Sequence, residues 1–334
     1  MEKNAQNPTR PRSGLIIGKF MPLHKGHMQL IDYAKNRVEK LTVLVCSLSR
    51  EPIPGEIRLE WVKELYPDVN VLHHTDENPQ EPHEHAHFWD IWTKSIRKLC
   101  PQSPDVVFTS ETYGDKLAEC LEAAHIPFDP KRVWLSVSGT QIRNDPYGNW
   151  EYLPKCVRAF YAKRVVIIGA ECTGKTTLAR LLAKHYGTVW LPEYGREYIQ
   201  NKQSDPEPED IPNIARRHLA NEDALVREAD RLIICDTDMI VTSVLSEYYF
   251  EKCPEWIKRA SYERRYDLYL LTDTDIPWQA DPFQREGPHI RGMLHKRFFE
   301  ELKNRKVPFV LISGPLEKRI KTAAAAIDRL FEDF

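Results

Sequence analysis

Residues 14–27, GLIIGKFMPLHKGH, and residues 164–177, RVVIIGAECTGKTT, each place a glycine-containing turn directly after a short apolar run. An apolar run that ends in such a turn and continues as a helical pattern is typical of a parallel α/β sheet. Such sheets bind ligands at the carboxyl ends of their strands, where helix N-termini present unpaired N–H groups. Two units of this kind in one chain predict two phosphate-binding turns.

Strand-like runs alternate with helical patterns along the chain. The first half carries GLIIG, LTVLVCS, VNVLHH, DVVFTS and RVWLSV, of which the last covers residues 132–137. After a connector between Leu153 and Lys163 the pattern restarts with RVVIIG, TVWLPE, RLIICDTD, DLYLLTD and VPFVLIS. This predicts an α/β chain with two doubly wound parallel-sheet domains. We expect a flexible tail over residues 1–13, a first domain over 14–155 and a second over 163–334.

Composition narrows the class of protein. The 334 residues include 47 basic and 49 acidic side chains, a formal net charge of −2, which gives no overall field for binding nucleic acid or an anionic membrane. No apolar run approaches the roughly 18 residues of a membrane span, and the N-terminus lacks the apolar segment of a secretory signal. Seven cysteines without a CxxC pair indicate reduced thiols. We expect a cytoplasmic protein.

The second turn carries a phosphate-binding pattern. Gly169, Gly174, Lys175 and Thr176 satisfy GxxxxGK[ST] between a strand and a helix. The glycines let backbone N–H groups surround phosphate oxygens, the lysine reaches the β and γ phosphates, and the threonine hydroxyl binds Mg²⁺. With the adjoining Thr177, these residues predict an ATP-binding loop, against the alternative of an ordinary glycine turn.

Acidic residues follow two later strands of the second half. Asp236 ends the run RLIICD and is the expected second Mg²⁺ ligand, beside Thr176. Asp238 is expected to face either the phosphoryl acceptor or the same hydration shell. Glu193, in PEYGRE, is the candidate base for the acceptor hydroxyl, because a base must reach the attacking oxygen directly or through one water. The alternative for Glu193 is a surface ion pair with a nearby arginine.

A long connection, DIPWQADPFQREG over residues 275–287, combines proline, aromatic and charged residues. It predicts a lid whose Arg285, with Arg291 as a second candidate, closes on the transferring phosphate and excludes water. A surface loop is the alternative.

The first turn uses different residues. His24 and His27, three apart at a helix start, are expected to donate hydrogen bonds to phosphate, while Gly26 lets a flat base approach the backbone. Zinc binding and structural histidines are the alternatives, and HxxH supplies only two metal ligands. Later in the same domain, SVSGTQIR (residues 136–143) offers hydroxyls, helix-start N–H groups and Arg143, all suited to a triphosphate.

These motifs together resemble a known family. GKFMPLHKGH with SGTQIR resembles the HxGH nucleotidyltransferases. Followed by GAECTGKTT, PEYGRE and CDTD, it resembles the bacterial bifunctional nicotinamide-nucleotide adenylyltransferase and ribosylnicotinamide kinase of the NadR type, from about Gly14 to the C-terminus. The resemblance implies a Rossmann-like nucleotidyltransferase domain followed by a P-loop kinase domain. Some members carry an N-terminal helix-turn-helix domain, but only 13 residues precede the first strand here, so DNA binding is not expected.

The resemblance also implies an activity. By this resemblance, the C-terminal domain is expected to phosphorylate nicotinamide riboside to nicotinamide mononucleotide (NMN). The N-terminal domain is expected to adenylylate NMN to NAD and pyrophosphate, with ATP as co-substrate and Mg²⁺ as cofactor in both. The motifs and the resemblance together give these candidate catalytic residues: His24, His27, Arg143, Lys175, Glu193 and Asp236. The implied ATP contacts in the first domain also include Lys19, Phe20, Met21, Gly26, Ser138, Gly139 and Thr140.

Contacts to the nicotinamide substrates are expected in both domains. In the first, Trp92 or alternatively Trp89 would stack on the pyridinium ring, with core packing as the other interpretation. In the second, Pro192 stands where several family members have an aromatic residue, so Tyr194 or Trp278 is the substitute. Arg196 and Asp238 are the further expected contacts. The nearby His83, His85 and His87 are expected in a solvated loop, with metal binding as the alternative.

Other functions remain open at this point. A fused phosphopantetheine adenylyltransferase and dephospho-CoA kinase shares the two-domain logic, although its first motif usually reads TxGH. An FAD synthetase would lack the Lys175 motif in its kinase half. A nucleotide-sensing regulator with decayed catalysis is the alternative outside the enzymes. The sequence also leaves open a homo-oligomer and a functional link to a riboside transporter.

Overall fold

The computed structural model describes residues 11–131, 133–278 and 288–332. The chain divides into two compact units, Met1–Val157 and Arg158–Phe334. The division falls within a short helix, Lys155–Tyr161, that lies between the predicted domains. None of the described helices is long and apolar enough to cross a membrane.

The first unit contains a parallel sheet of five described strands in the order β3-β2-β1-β4-β5. Each strand pairs with its neighbours in parallel. Its elements, in chain order, are β1 Ser13–Gly18, α1 Lys25–Lys35, β2 Lys40–Cys46, α2 Gly55–Leu65, β3 Asn70–His74, α3 Phe88–Leu99, β4 Val106–Thr109, α4 Gly114–Leu121, β5 Ala124–Pro127, α5 Gly139–Asn144 and α6 Lys155–Tyr161.

The central position of β1 places the first glycine turn at the ligand crevice. The chain passes from β1 to β2 and β3 on one side, and then to β4 and β5 on the other. In a doubly wound sheet, this reversal opens a crevice at the carboxyl ends of the two central strands. A buried cluster below the crevice fixes the sheet against α3 and α4, with Leu15, Leu44, Ile96, Val107 and Leu117 among its members.

The fifth predicted strand was wrong. The segment RVWLSV does not pair with the sheet over its described residues 133–137, and Ala124–Pro127 forms the edge strand instead. Glu122 takes a left-handed conformation that ends α4, so the chain reaches the β4 edge within two residues. Val133 and Trp134 are 76% and 72% exposed. The apolar composition of this segment therefore predicted a strand that the structure does not form.

The first residues of the sheet also differ from the predicted boundary. β1 begins at Ser13, whose N–H and hydroxyl both donate to the Asp105 carboxylate, so the last residue of the predicted tail belongs to the sheet. Residues 1–10 of that tail lie outside the described residues.

The second unit contains another parallel sheet of five described strands, in the order β10-β9-β6-β8-β7. All its pairings are parallel. Its elements are β6 Lys163–Ile168, α7 Lys175–Tyr186, β7 Trp190–Leu191, α8 Tyr194–Lys202, α9 Ile211–Leu225, β8 Leu232–Asp236, α10 Met239–Phe250, α11 Glu255–Glu263, β9 Leu268–Thr272, α12 Pro288–Arg305, β10 Phe309–Ile312 and α13 Leu316–Asp328.

The strands of the second sheet are apolar on both faces, as expected for a sheet covered by helices. Val165, Ile167, Ile234 and Leu270 are fully buried in one cluster with α7 and α13. Because β6 lies between β8 and β9, the second glycine turn also opens at a switch point of the sheet. The fold therefore brings each motif-bearing turn to the carboxyl end of a central strand.

Candidate functional site

The turn between β1 and α1 opens on a cavity of about 390 Å³ in the first unit. Three stretches line it: the turn itself, the end of β4, and the segment that leads into α5. The structure brings together these residues proposed from the sequence: Lys19, Phe20, Met21, His24, Gly26, His27, Ser138, Gly139, Thr140 and Arg143.

His24 caps α1 and lies at the wall of this cavity. Its Nδ1 accepts a hydrogen bond of 3.1 Å from the Gly26 N–H, so Nε2 is the ring nitrogen that carries the proton. The His24 and His27 rings lie 3.8 Å apart between centroids, and the Phe20 ring supports His27 at 5.0 Å. A Cβ on Gly26 would approach His24 Cε1 to 2.9 Å. The glycine therefore permits this orientation of the His24 ring, in which Nε2 is the donor.

Arg143 joins the two halves of the first cavity. Its Nη1 donates to the Met21 carbonyl at 2.5 Å and its Nη2 to the Thr140 hydroxyl at 3.0 Å. A Cβ on Gly139 would lie 2.7 Å from the same Met21 carbonyl, so only glycine allows this close approach. Ser138 begins α5 in a capping box with Gln141. The guanidinium is thereby held between the histidine turn and the start of α5.

Two residues of this site were missed by sequence reasoning. Arg58 is fully buried and donates to the Lys19 carbonyl at 2.7 Å and to the Cys46 carbonyl at 3.2 Å. Glu51 lies between Arg58, at 2.6 Å, and the Lys19 ammonium, at 3.0 Å. Burial raises the pKa of Glu51, but the Leu48 N–H and the two cations hold this pKa below its usual range. This ionised pair fixes the backbone and side chain of Lys19.

Trp92 does not line the histidine cavity. Its Nε1 donates to the Pro79 carbonyl at 2.8 Å, and its ring stacks on the buried His74 at 5.1 Å. Trp92, His74, Lys19 and Glu51 border a small separate cavity. One face of the indole is thus covered by an imidazole that sequence reasoning did not identify. Trp89 packs with Trp92 against the core cluster of the first unit.

The histidines before α3 lie at the surface. His83, His85 and His87 are all exposed, and the His85 and His87 rings lie 5.9 Å apart. The described parts of the chain contain no group of three or more histidine, cysteine, aspartate or glutamate side chains placed to hold a metal ion.

The turn between β6 and α7 opens on a cavity of about 310 Å³ in the second unit. Its lining comes from the turn, the start of α8, one face of α9, residues along α10 from Val241 to Phe250, and part of α12. These residues proposed from the sequence lie in that lining: Gly169, Gly174, Lys175, Thr176, Thr177, Glu193 and Arg196.

Close packing fixes the phosphate-binding loop. A Cβ on Gly169 would lie 2.2 Å from the Thr272 hydroxyl oxygen, and Thr173 Oγ1 lies 2.7 Å from that oxygen. Gly174 adopts a φ of 80°, which turns the chain into α7. Lys175 Nζ donates across the loop to the Ala170 carbonyl at 3.0 Å. The loop therefore surrounds the position where its lysine ends.

Asp236 and Thr176 meet beside this loop. Asp236 is fully buried at the end of β8, and its Oδ2 accepts from the Thr176 hydroxyl at 2.5 Å. Its Oδ1 is buried with no hydrogen-bond partner among the described residues. Burial raises the pKa of Asp236, while Lys175 and Thr176 lower it. A buried carboxylate oxygen of this kind is unfavourable unless it meets a cation or a donor.

Glu193 lies at the start of α8 and lines the same cavity. Burial raises the pKa of its carboxyl, the Lys175 ammonium lowers it, and the nearby Asp236 carboxylate raises it again. The net direction of the pKa shift is upward. Glu193 is therefore a half-buried carboxyl at the wall of the cavity.

Two predicted substrate contacts of the second unit make contacts within the protein. Asp238 is 1% exposed, and its Oδ1 caps α10 by accepting from the Ile240 and Val241 N–H groups. Its Oδ2 accepts from the Tyr269 hydroxyl at 2.9 Å, so both oxygens are engaged within the protein. Tyr194 is outside the cavity lining, and its ring contacts Tyr198.

The predicted lid is only partly described. Residues 279–287, which include Arg285, lie outside the described residues. Arg291 on α12 is 8% exposed and donates to the Ile276 carbonyl at 3.1 Å and the Cys172 carbonyl at 3.3 Å. It ties the start of the connection to the phosphate-binding loop and does not lie among the residues that line the cavity. Trp278 is half-buried and likewise does not line it.

Arg319 on α13 is a third residue that sequence reasoning missed. It is 3% exposed and donates to the carbonyls of Thr173, Gly314 and Asp273 at 2.9, 2.8 and 3.2 Å. Its guanidinium also pairs with the Asp275 carboxylate. Within LEKRIK an arginine is expected to face solvent, so only the packed structure identifies it as a support of the loop.

Two protein-family models match the chain. The cytidylyltransferase-like model matches residues 15–145, and the AAA domain model matches residues 164–319. The trifunctional NAD biosynthesis/regulator protein NadR of Escherichia coli (strain K12) is 30% identical over 90% of this chain and 78% of its own length. The nicotinamide-nucleotide adenylyltransferase of Methanocorpusculum labreanum is 26% identical over 43% of this chain and 86% of its own length.

Two solved structures share the fold over nearly the whole chain. NadR protein in complex with NAD and AMP-PNP has a TM-score of 0.79 at 23% identity and covers 96% of each chain. NadR protein in complex with NR has a TM-score of 0.76 at 22% identity and covers 95% of each chain. The predicted fold, two doubly wound parallel-sheet domains of the nucleotidyltransferase and P-loop types, is confirmed.

Replacing Arg319 with methionine tests its support of the loop. The Arg319→Met variant removes the donors to three carbonyls of the loop and its surroundings, and we expect the KM for ATP in the predicted riboside phosphorylation to rise about tenfold. Initial rates against ATP concentration measure this, and Arg319→Lys, which keeps the charge and one donor group, should lie between. An unchanged KM for ATP in a folded Arg319→Met variant would show that the guanidinium does not hold the loop.

Asp238 predicts a dependence of stability on pH. Burial raises the pKa of Asp238 to about 6 from 3.8, although the Val241 N–H and the Tyr269 hydroxyl lower it. Between these values the folded state holds a proton that the unfolded state has released. The free energy of unfolding should therefore fall by about 3 kcal/mol as pH rises from about 4 to about 6. Denaturant titrations at several pH values should show this fall reduced in Asp238→Asn, and an identical slope would contradict the assignment.

Proposed function

Because the chain belongs to the NadR family of NAD biosynthesis proteins, we propose that its two units catalyse two consecutive reactions. The second unit phosphorylates nicotinamide riboside with ATP to give NMN. The first unit adenylylates NMN with a second ATP to give NAD and pyrophosphate. The predicted family is confirmed, and the similarity over 90% of this chain favours NAD biosynthesis over the coenzyme A alternative.

One observation carries this proposal. Each unit has its own cavity at the carboxyl end of its central strand, and each cavity is lined by a different set of groups that suit a triphosphate. Two imidazoles and an arginine line the first, whereas a GxxxxGKT loop and the Glu193 carboxyl line the second, where Thr176 of the loop contacts the buried Asp236. Two ATP-dependent reactions of different type require such a division.

In the first unit, the 5′-phosphate oxygen of NMN attacks the α-phosphorus of ATP and pyrophosphate leaves. No protein nucleophile is needed, so catalysis depends on alignment and on stabilising the phosphate charge. His24 is oriented as a donor by its contact with Gly26, and Arg143 is held between the two halves of the cavity. These groups are placed to act on the phosphate oxygens together with His27.

In the second unit, the 5′-hydroxyl of the riboside attacks the γ-phosphorus of ATP and ADP leaves. Glu193 accepts the hydroxyl proton, since its carboxyl lines the cavity and its pKa is raised by burial. Lys175 extends across the loop and offsets charge on the β and γ phosphates. Arg196, which also lines the cavity, is the proposed contact to the riboside.

The residues present fit a magnesium ion in the second unit. Asp236 Oδ1 is a buried carboxylate oxygen without a hydrogen-bond partner among the described residues, and the Thr176 hydroxyl lies against the other oxygen. Oxygen ligands of this kind suit Mg²⁺. When bound, the ion would neutralise charge on the phosphate oxygens. Asp236 and Thr176 would hold it.

Three further parts of the proposal concern the cell. Because both reactions consume ATP, we place the protein in the cytoplasm. Phosphorylation adds negative charge and would retain the riboside inside the cell, so a functional link to a riboside transporter is reasonable on chemical grounds. A homo-oligomer is the remaining hypothesis about partners, and no nucleic-acid partner is proposed.

Paired substitutions test the two-site function. In Lys175→Ala the riboside kinase should lose about a hundredfold or more in kcat, while NMN adenylylation stays near the wild-type rate. In His27→Ala the effects should be reversed. Chromatography of NMN formed from riboside, and separately of NAD formed from NMN, measures both rates. Loss of both activities in either folded variant would contradict two independent sites.

A further inference from the structure

One face of α9 lines the cavity of the second unit. Ile211, Ile214 and His218 occupy positions i, i+3 and i+7 of this helix, so they lie on the same side, and all three line the cavity. His218 is 3% exposed and is the polar member of this set. The mechanism described above does not use it.

The ring of His218 has a defined tautomer. Burial lowers its pKa, while the Glu222 carboxylate and a hydrogen bond with the Thr237 backbone raise it, and the Arg264 guanidinium lowers it again. The Thr237 N–H already donates to the Ile167 carbonyl, so the ring donates to the Thr237 carbonyl. Nε2 is buried with no hydrogen-bond partner among the described residues. The proton therefore lies on Nδ1, and Nε2 carries an unpaired acceptor lone pair.

An acceptor in this position is unfavourable unless a ligand reaches it. A buried polar atom without a partner has lost its hydrogen bonds with water and gained none in return. The neighbouring lining residues Val241, Leu245 and Phe250 are apolar and suit a flat ring. A site that pairs such an acceptor with a donor of its substrate rejects analogues that lack the donor.

On the basis of the proposed function, we propose that His218 Nε2 accepts a hydrogen bond from the riboside and thereby determines the specificity of the kinase. Nicotinamide riboside offers two kinds of donor, the carboxamide N–H and the ribose hydroxyls. Both satisfy the same lone pair, and substrates that differ in one of them distinguish the two.

Two substitutions distinguish the roles of the two nitrogen atoms of the His218 ring. Asparagine at position 218 can keep a donor to the Thr237 carbonyl but does not reach the position of Nε2, whereas glutamine can place an oxygen acceptor there. We expect kcat/KM for nicotinamide riboside to fall about tenfold or more in His218→Asn, mainly through KM, with the KM for ATP within twofold of wild type. His218→Gln should recover most of the loss. His185→Asn, in the exposed last turn of α7, is the matched control and should behave as wild type.

The same variants are then assayed with nicotinic acid riboside, in which a carboxylate replaces the carboxamide. If the carboxamide is the donor, wild type should prefer the amide and His218→Asn should lose that preference. If a ribose hydroxyl is the donor, His218→Asn should lower kcat/KM for both substrates by the same factor. Either result supports the inference.

Other outcomes would overturn it. An unchanged kcat/KM for the riboside in His218→Asn, an equal rise in the KM for ATP, or the absence of rescue by His218→Gln would show that Nε2 does not contact the substrate. These results leave the proposed function intact as long as wild type phosphorylates the riboside. An inactive wild type would instead contradict the proposed function itself.

Discussion

Both sites depend on backbone and side-chain donors gathered where a helix begins after the central strand of a parallel sheet. This position is set by chain topology, because β1 and β6 each lie between strands reached in opposite directions. Close packing then fixes the turns. Gly169 lies too near Thr272 for a side chain, and Gly139 lies too near the Met21 carbonyl. Glycine at these two positions is therefore a steric requirement of the sites.

The charged groups of the two sites are held in different ways. In the second unit, burial raises the pKa of both Glu193 and Asp236, and the Lys175 ammonium lowers both. Carboxyl groups with a raised pKa beside a fixed cation suit the proposed reaction, in which a proton and a phosphoryl group are transferred. In the first unit, the His24 ring is oriented by a helix cap and Arg143 by a carbonyl. That arrangement suits a reaction in which oxygens are only aligned and stabilised.

Local patterns in the sequence predicted most of the fold and the turn residues. GKFMPLHKGH and GAECTGKTT are each a single continuous stretch of sequence. The residue spacing within each stretch therefore places its side chains near the end of the strand that precedes it. The prediction of a strand at RVWLSV was wrong because burial decides whether an apolar run joins a sheet, and composition does not report burial. Arg58 and Arg319 were missed because their partners lie in distant segments. Asp238 looked like a ligand residue beside Asp236, but its oxygens cap α10 and bind Tyr269.

The central claim is that one chain holds two ATP sites of different construction. Isothermal titration of the full chain with a non-hydrolysable ATP analogue and Mg²⁺ tests it most directly. We expect two molecules bound per chain, and one in a variant that lacks the Lys175 side chain. A stoichiometry of one for the full wild-type chain, or of two after loss of that lysine, would contradict the account.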